Sequence, residues 1–143
     1  MKPCLVDVNV WLALLVVSHQ HHALSNEWYS NLSNGEAVLC RAVQLSLVRL
    51  LNNRAVMQQY PLTALEGWNA TVSLLEDPRI AFEEEPKGID AIFPTLLRYP
   101  VPTGKLVNDA YLASFAIAGG LRLATLDRGY RSFAGLDVTV LGE

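Results

Sequence analysis

The stretch Val107-Asn-Asp-Ala-Tyr-Leu-Ala-Ser-Phe-Ala-Ile-Ala-Gly-Gly-Leu-Arg-Leu-Ala-Thr-Leu-Asp127 constrains the fold more than any other part of the chain. It predicts a helix over about Leu106–Ala118, a stop at Gly119-Gly120, a strand over Arg122–Leu126 and an acid immediately after it. Almost no residues are spare between these elements. Asp109 stands at the expected start of this helix and Asp127 at the end of the strand.

The same alternation runs through the rest of the chain. Strands are expected at Pro3–Val8, Glu36–Cys40, Arg79–Phe82, Arg122–Leu126 and Asp137–Leu141. Helices are expected over Val10–Val17, with Asn9 as N-cap, and over about His22–Leu32, Val43–Leu51, Leu62–Leu75 and Ile89–Leu97. Tyr99–Gly104, with two prolines and a glycine, reads as a loop. The result is an α/β fold with a mainly parallel sheet and right-handed crossovers. With 143 residues, 51% of them hydrophobic, and no linker or repeat, residues 1–143 are expected to form one domain.

The net charge of -3 argues against a general nucleic-acid binder, though not against an enzyme that meets nucleic acid at one site. Cys4 and Cys40 lie in apolar runs and read as buried free thiols. No signal peptide or membrane span is expected, which points to a cytoplasmic protein.

In open α/β sheets, ligands bind beyond the carboxyl ends of the strands. Asp7 and Asp127 both fall at such ends. An acid between Val6 and Val8, in a chain with 17% charged residues, needs a partner. Three acids in one crevice repel one another until a proton or a cation neutralises them, and hard oxygen donors suit Mg²⁺ or Mn²⁺. Such an ion supports hydrolysis or transfer at phosphate. Each acid also has a plainer role open to it: Asp109 as a helix N-terminal charge, Asp127 as a turn residue. His19, His21 and His22 read as a solvated polar break; Trp11, Trp28 and Trp68 as core or partner surface.

Val-Asp7-Val-Asn9, the block Asn108-Asp109-Ala110-Tyr111-Leu112-Ala113 and the block Leu123-Ala-Thr125-Leu-Asp127-Arg-Gly-Tyr130 together resemble the PIN-domain nucleases. Cys40–Leu51 is similar to the helix after the second strand in the VapC-type toxins of bacterial toxin–antitoxin pairs. The resemblance implies a three-layer α/β/α fold with a five-stranded parallel sheet. It implies Mg²⁺- or Mn²⁺-dependent endoribonuclease activity on an RNA substrate, a cognate antitoxin partner and a homodimer. Asp7, Asp109 and Asp127 match the family's metal-site acids; Asn9 and Thr125 match its supporting polar positions, with Thr125 expected to orient a carboxylate or a water. The family's fourth acid falls on Gln44, which offers a carbonyl oxygen and no charge. This departure predicts weaker metal binding, tightened by Gln44→Glu. Lys105, Arg128 and Arg131 are candidates for the RNA phosphates, and Tyr130 for a base; Arg41 and Arg49 are further cations without a motif. Two rivals follow: a non-catalytic RNA- or protein-binding module with a degraded metal site, and a metal-dependent phosphatase. Asp7-x-Asn9 is similar to the opening motif of haloacid-dehalogenase-like enzymes, but lacks its second Asp and the Gly-Thr that follows.

Overall fold

The computed structural model describes residues 2–98 and 104–143. Most of the expected loop Tyr99–Gly104 therefore lies outside the described residues. Five strands, β1 (Cys4–Val6), β2 (Ala37–Leu39), β3 (Ile80–Phe82), β4 (Arg122–Thr125) and β5 (Val138–Val140), form one sheet in the order β3-β2-β1-β4-β5. Every pairing is parallel. β1 and β2 are apolar throughout because helices cover both faces. Leu5, Val6, Val38, Leu39 and Leu123 are wholly buried, each worth about 1.5–3 kcal/mol of apolar burial.

The helices are α1 (Val8–Leu15), α2 (His22–Ser30), α3 (Arg41–Leu51), α4 (Arg54–Met57), α5 (Ala64–Leu74), α6 (Ile89–Leu96) and α7 (Lys105–Gly119), with a 3₁₀ turn at Arg128–Ser132. From β1 the chain steps outward to β2 and β3. It then crosses back through α6 and α7 to β4, on the other side of β1. Right-handed crossovers in the two directions place helices on opposite faces of the sheet. In keeping with this, α1 packs on α2 and α3, α3 packs on α5, and α6 packs on α7. The direction reverses between β1 and β4, so the carboxyl ends of these two neighbours border the crevice expected to hold a ligand.

Several local features differ from expectation. β1 stops at Val6 because Asp7, not Asn9, caps the following helix: its carboxylate accepts from Val8 N at 2.8 Å and its carbonyl from Val10 N at 3.1 Å. Asn9 lies inside α1. Asn53 caps the short α4, accepting from Ala55 N and Val56 N. Thr63 and Glu66 close a reciprocal capping box on α5. The Gly119-Gly120 stop behaves as expected. Gly120 takes a left-handed conformation at φ 66°, and Leu121 N reaches back to Ala116 O at 2.8 Å. This closure joins α7 to β4 with no further turn residues.

Candidate active site

Asp7 follows β1 and Asp127 follows β4, so the pairing of those strands alone brings the two acids to one edge. Asp109 reaches them from α7. It is the fifth residue of that helix, not its first, so its role is not that of an N-terminal charge. A cleft of about 180 Å³ is lined by Asp7, Val8, Lys105, Asp109 and Tyr130, among others.

Each carboxylate is anchored through Oδ1. Asp7 Oδ1 accepts from Val8 N at 2.8 Å, Asp109 Oδ1 from the Tyr130 hydroxyl at 3.0 Å, and Asp127 Oδ1 from Gly129 N at 2.8 Å. Thr125 Oγ1 donates to Asp7 Oδ2 at 2.8 Å and accepts from Asp127 N at 3.0 Å, tying two of the acids through one hydroxyl. Lys105 Nζ contacts Asp127 Oδ2 and lies 3.8 Å from Asp109 Oδ2. Asn9 Oδ1 accepts from Leu126 N at 3.3 Å, which fastens α1 to the segment between Thr125 and Asp127.

The electrostatics reflect this packing. Burial, reinforced by the charges of Asp109 and Asp127, pushes the Asp7 carboxyl up to about 6. Asp109 is also raised, chiefly by burial. Asp127 is lowered, chiefly by the hydrogen bond from Lys105. Burial and the surrounding acids raise the Tyr130 phenol, so it stays a hydrogen-bond donor.

Other expected site residues lie elsewhere. Gln44 is buried but does not line the cleft: Oε1 accepts from Arg41 at 2.8 Å and Nε2 donates to Thr71 on α5 at 3.0 Å. Arg41 in turn lies over the rings of Trp68 and Phe82. Tyr130 cannot stack a base, because it is 1% exposed and its hydroxyl serves Asp109. Arg128 and Arg131 both pair with Glu143. The sequence offered no sign of that pairing, nor of the Tyr130–Asp109 bond. His22 Nδ1 contacts the Ala13 carbonyl, and His19 Nδ1 accepts from His21 N. Glu36 precedes β2, and its carbonyl accepts from Cys4 N, at the sheet edge away from the acids. Cys4 and Cys40 are buried free thiols.

Among the described residues, no group of three acids, histidines or cysteines stands ready-made around a metal position. The donor chemistry nonetheless suits a hard cation. Three carboxylates are fixed in orientation, the most buried is short of neutralising charge, and an ammonium already bridges the other two.

The sequence pattern of the PIN domain matches residues 4–136. The chain belongs to the PIN-domain family. Ribonuclease VapC41 of Mycobacterium tuberculosis is 39% identical over 144 aligned residues, covering 97% of this chain and 99% of the relative. Ribonuclease VapC39 of the same organism is 30% identical, covering 86% and 87%. Among solved structures, the VapC20 toxin of M. tuberculosis, which cleaves the sarcin–ricin loop, superposes with a TM-score of 0.67 at 15% identity, covering 94% of this chain and 98% of VapC20. VapBC2 of Rickettsia felis, solved on a DNA fragment of its promoter, gives 0.62 at 14%, covering 94% and 96%. These two likenesses bear on fold, and they match the α/β/α layers of this PIN domain. The acids lie at its carboxyl edge, where β1 and β4 meet.

Proposed function

We propose that this PIN domain, acting as a single unit over residues 1–143, is a metal-dependent endoribonuclease and the toxin of a toxin–antitoxin pair. Family membership and the near full-length match to ribonucleases named VapC support the nuclease and the toxin. The observation that supports the site is the pair of links among the acids: Thr125 ties Asp7 to the Asp127 backbone, and Lys105 pairs with both Asp109 and Asp127, beside a cleft lined by Asp7 and Asp109.

Asp7, Asp109 and Asp127 would hold Mg²⁺ or Mn²⁺. The bound ion supplies Lewis acidity and a water of lowered pKa. The protein does the rest. Val8 N, Tyr130 and Gly129 N hold one oxygen of each acid, so the others keep their direction. Thr125 fixes Asp7 relative to the Asp127 backbone. One of the three carboxylates takes the proton of the attacking water, and Lys105 meets the RNA phosphate. Arg128 and Arg131, on the exposed turn after Asp127, contact more distant phosphates once released from Glu143. A cognate antitoxin and a second copy of the chain are the proposed protein partners. Exposed Val17, Tyr60 and Leu65 offer apolar surface for them. Among the described residues no helix is long and apolar enough to cross a membrane, and the proposed place of action is the cytoplasm.

The test is cleavage of a panel of structured RNAs by antitoxin-free protein, with Mn²⁺ or Mg²⁺ and with chelator, beside Asp7→Asn. The expected outcome is metal-dependent cleavage that Asp7→Asn lowers at least about a hundredfold, the scale of losing one preorganised charged group. Equal cleavage by both proteins would sink the proposal.

A further inference from the structure

Lys105 is placed unlike the other cations of the described chain. It is the first residue of α7, one turn before Asp109, and so shares a helix face with it. From there its ammonium also contacts Asp127, which follows β4. Both contacts are made to Oδ2, the oxygen left over after Oδ1 is anchored by Tyr130 or Gly129. The ammonium thus sits among the oxygens that a hard cation would use. It is held lightly: its side chain is 64% exposed, against 20% for Asp109 and 24% for Asp127. Surface ion pairs of this kind are weak and exchange readily with solvent ions.

We propose that Lys105 is a built-in counter-ion of the acid cluster, which competes with the divalent ion for Asp109 and Asp127 and swings out when that ion binds. The inference rests on the metal-site reading above and adds a regulatory coupling to it. In the metal-free protein the ammonium relieves repulsion between Asp109 and Asp127 and keeps both carboxylates oriented. On metal binding the two like charges cannot share those oxygens, and Lys105 turns toward solvent on its flexible stem. Its new position lies at the cleft rim, where a phosphate would enter. Metal loading and RNA binding are thereby linked through one side chain: the ion releases the cation that the phosphate needs. A direct electrostatic consequence is that this protein binds its metal less tightly than the same acids would without Lys105.

Two measurements test this without relying on turnover. The first is calorimetric titration of Mn²⁺ into the metal-free protein, Lys105→Met, Lys105→Arg and Lys2→Met. Lys2 pairs with Asp137, away from the cluster, and serves as the control for loss of one positive charge. Lys105→Met should bind Mn²⁺ about three- to fivefold tighter, the scale of no longer having to break exposed ion pairs before the ion can enter. Lys105→Arg and Lys2→Met should stay near the parent. The second is amine-reactive labelling read by mass spectrometry. Lys105 of the unmutated protein should become several-fold more reactive on adding Mn²⁺, while Lys2 does not change. Unchanged or weaker Mn²⁺ binding by Lys105→Met, equal tightening by Lys105→Arg, or labelling indifferent to Mn²⁺ would each overturn the counter-ion role while leaving the metal site intact. Absence of Mn²⁺ binding to every protein would overturn both.

Discussion

Asp7 and Asp77 are both partly or wholly sheltered aspartates at the ends of strands, and they have opposite fates. Asp77 stands before β3, at the amino edge of the sheet. It receives the Tyr29 hydroxyl at 2.8 Å, Arg79 Nη2 at 2.7 Å and Arg79 N at 3.0 Å, and Arg79 also covers the Tyr29 ring. These donors, Arg79 foremost, hold its carboxyl well below the usual range. Asp7 stands after β1, at the carboxyl edge; among the described residues Val8 N and Thr125 donate to it, no cation forms a salt bridge with it, and burial raises it. The first carboxylate is fully satisfied and clips α2 to the turn before β3. The second is buried beside two further acids, and among the described residues no salt bridge offsets its charge.

The comparison is broken most directly by neutralising each acid and measuring stability in urea without metal. Asp77→Asn should lose up to about 1 kcal/mol, because half-buried donors of Arg79 and Tyr29 lose their charged acceptor and water screens part of that loss. Asp7→Asn should keep or gain stability at neutral pH, by up to about 3 kcal/mol, since it removes a charge that burial disfavours. Comparable losses for both would place Asp7 among ordinary structural residues.

The pH dependence sharpens the same contrast. Asp7 titrates near 6 in the folded protein against 3.8 for the free side chain, so the native state holds the extra proton between these values. The unfolded state binds fewer protons there, and the Asp7 contribution to stability falls as pH rises through that window, by about 3 kcal/mol at most. Asp77 has the opposite sign. Its contribution is full above the unfolded value and is lost as pH falls below it toward the depressed folded one. Metal-free stability curves of the parent and Asp7→Asn should therefore converge near pH 4 and diverge toward pH 6. Parallel curves would contradict the assignment.

A smaller effect concerns Gln44. The family pattern suggests that Gln44→Glu completes a four-acid site. The structure predicts otherwise, because Gln44 sits between Arg41 and Thr71 and not in the cleft. Gln44→Glu should leave the Mn²⁺ titration unchanged and cost about 1 kcal/mol as the donor to Thr71 is lost. Tighter Mn²⁺ binding would instead show that α3 can turn this position into the site.

The fold was largely legible from residue pattern. Apolar runs of strand length, helical spacing between them and the Gly119-Gly120 stop are local signals, and they lead to five parallel strands and their intervening helices. The short α4 is not legible in the pattern, because a single turn carries no periodicity, whereas the turn after Asp127 is. Asn9 was misjudged as a cap because Asp7, two residues earlier, can do the same and did.

For the candidate site, the sequence by itself determined which acids follow β1 and β4, since a strand end is a local property. Only the tertiary structure decided that the reversal of strand order makes β1 and β4 neighbours, and that α7 brings Asp109 and Lys105 to the same edge. It also decided that Tyr130 is a buried donor to Asp109 and that Gln44 faces α5. These facts depend on contacts across as many as 118 positions of chain, as between Asp7 and Thr125. Such contacts follow from how packed layers exclude water, and local patterning does not encode them.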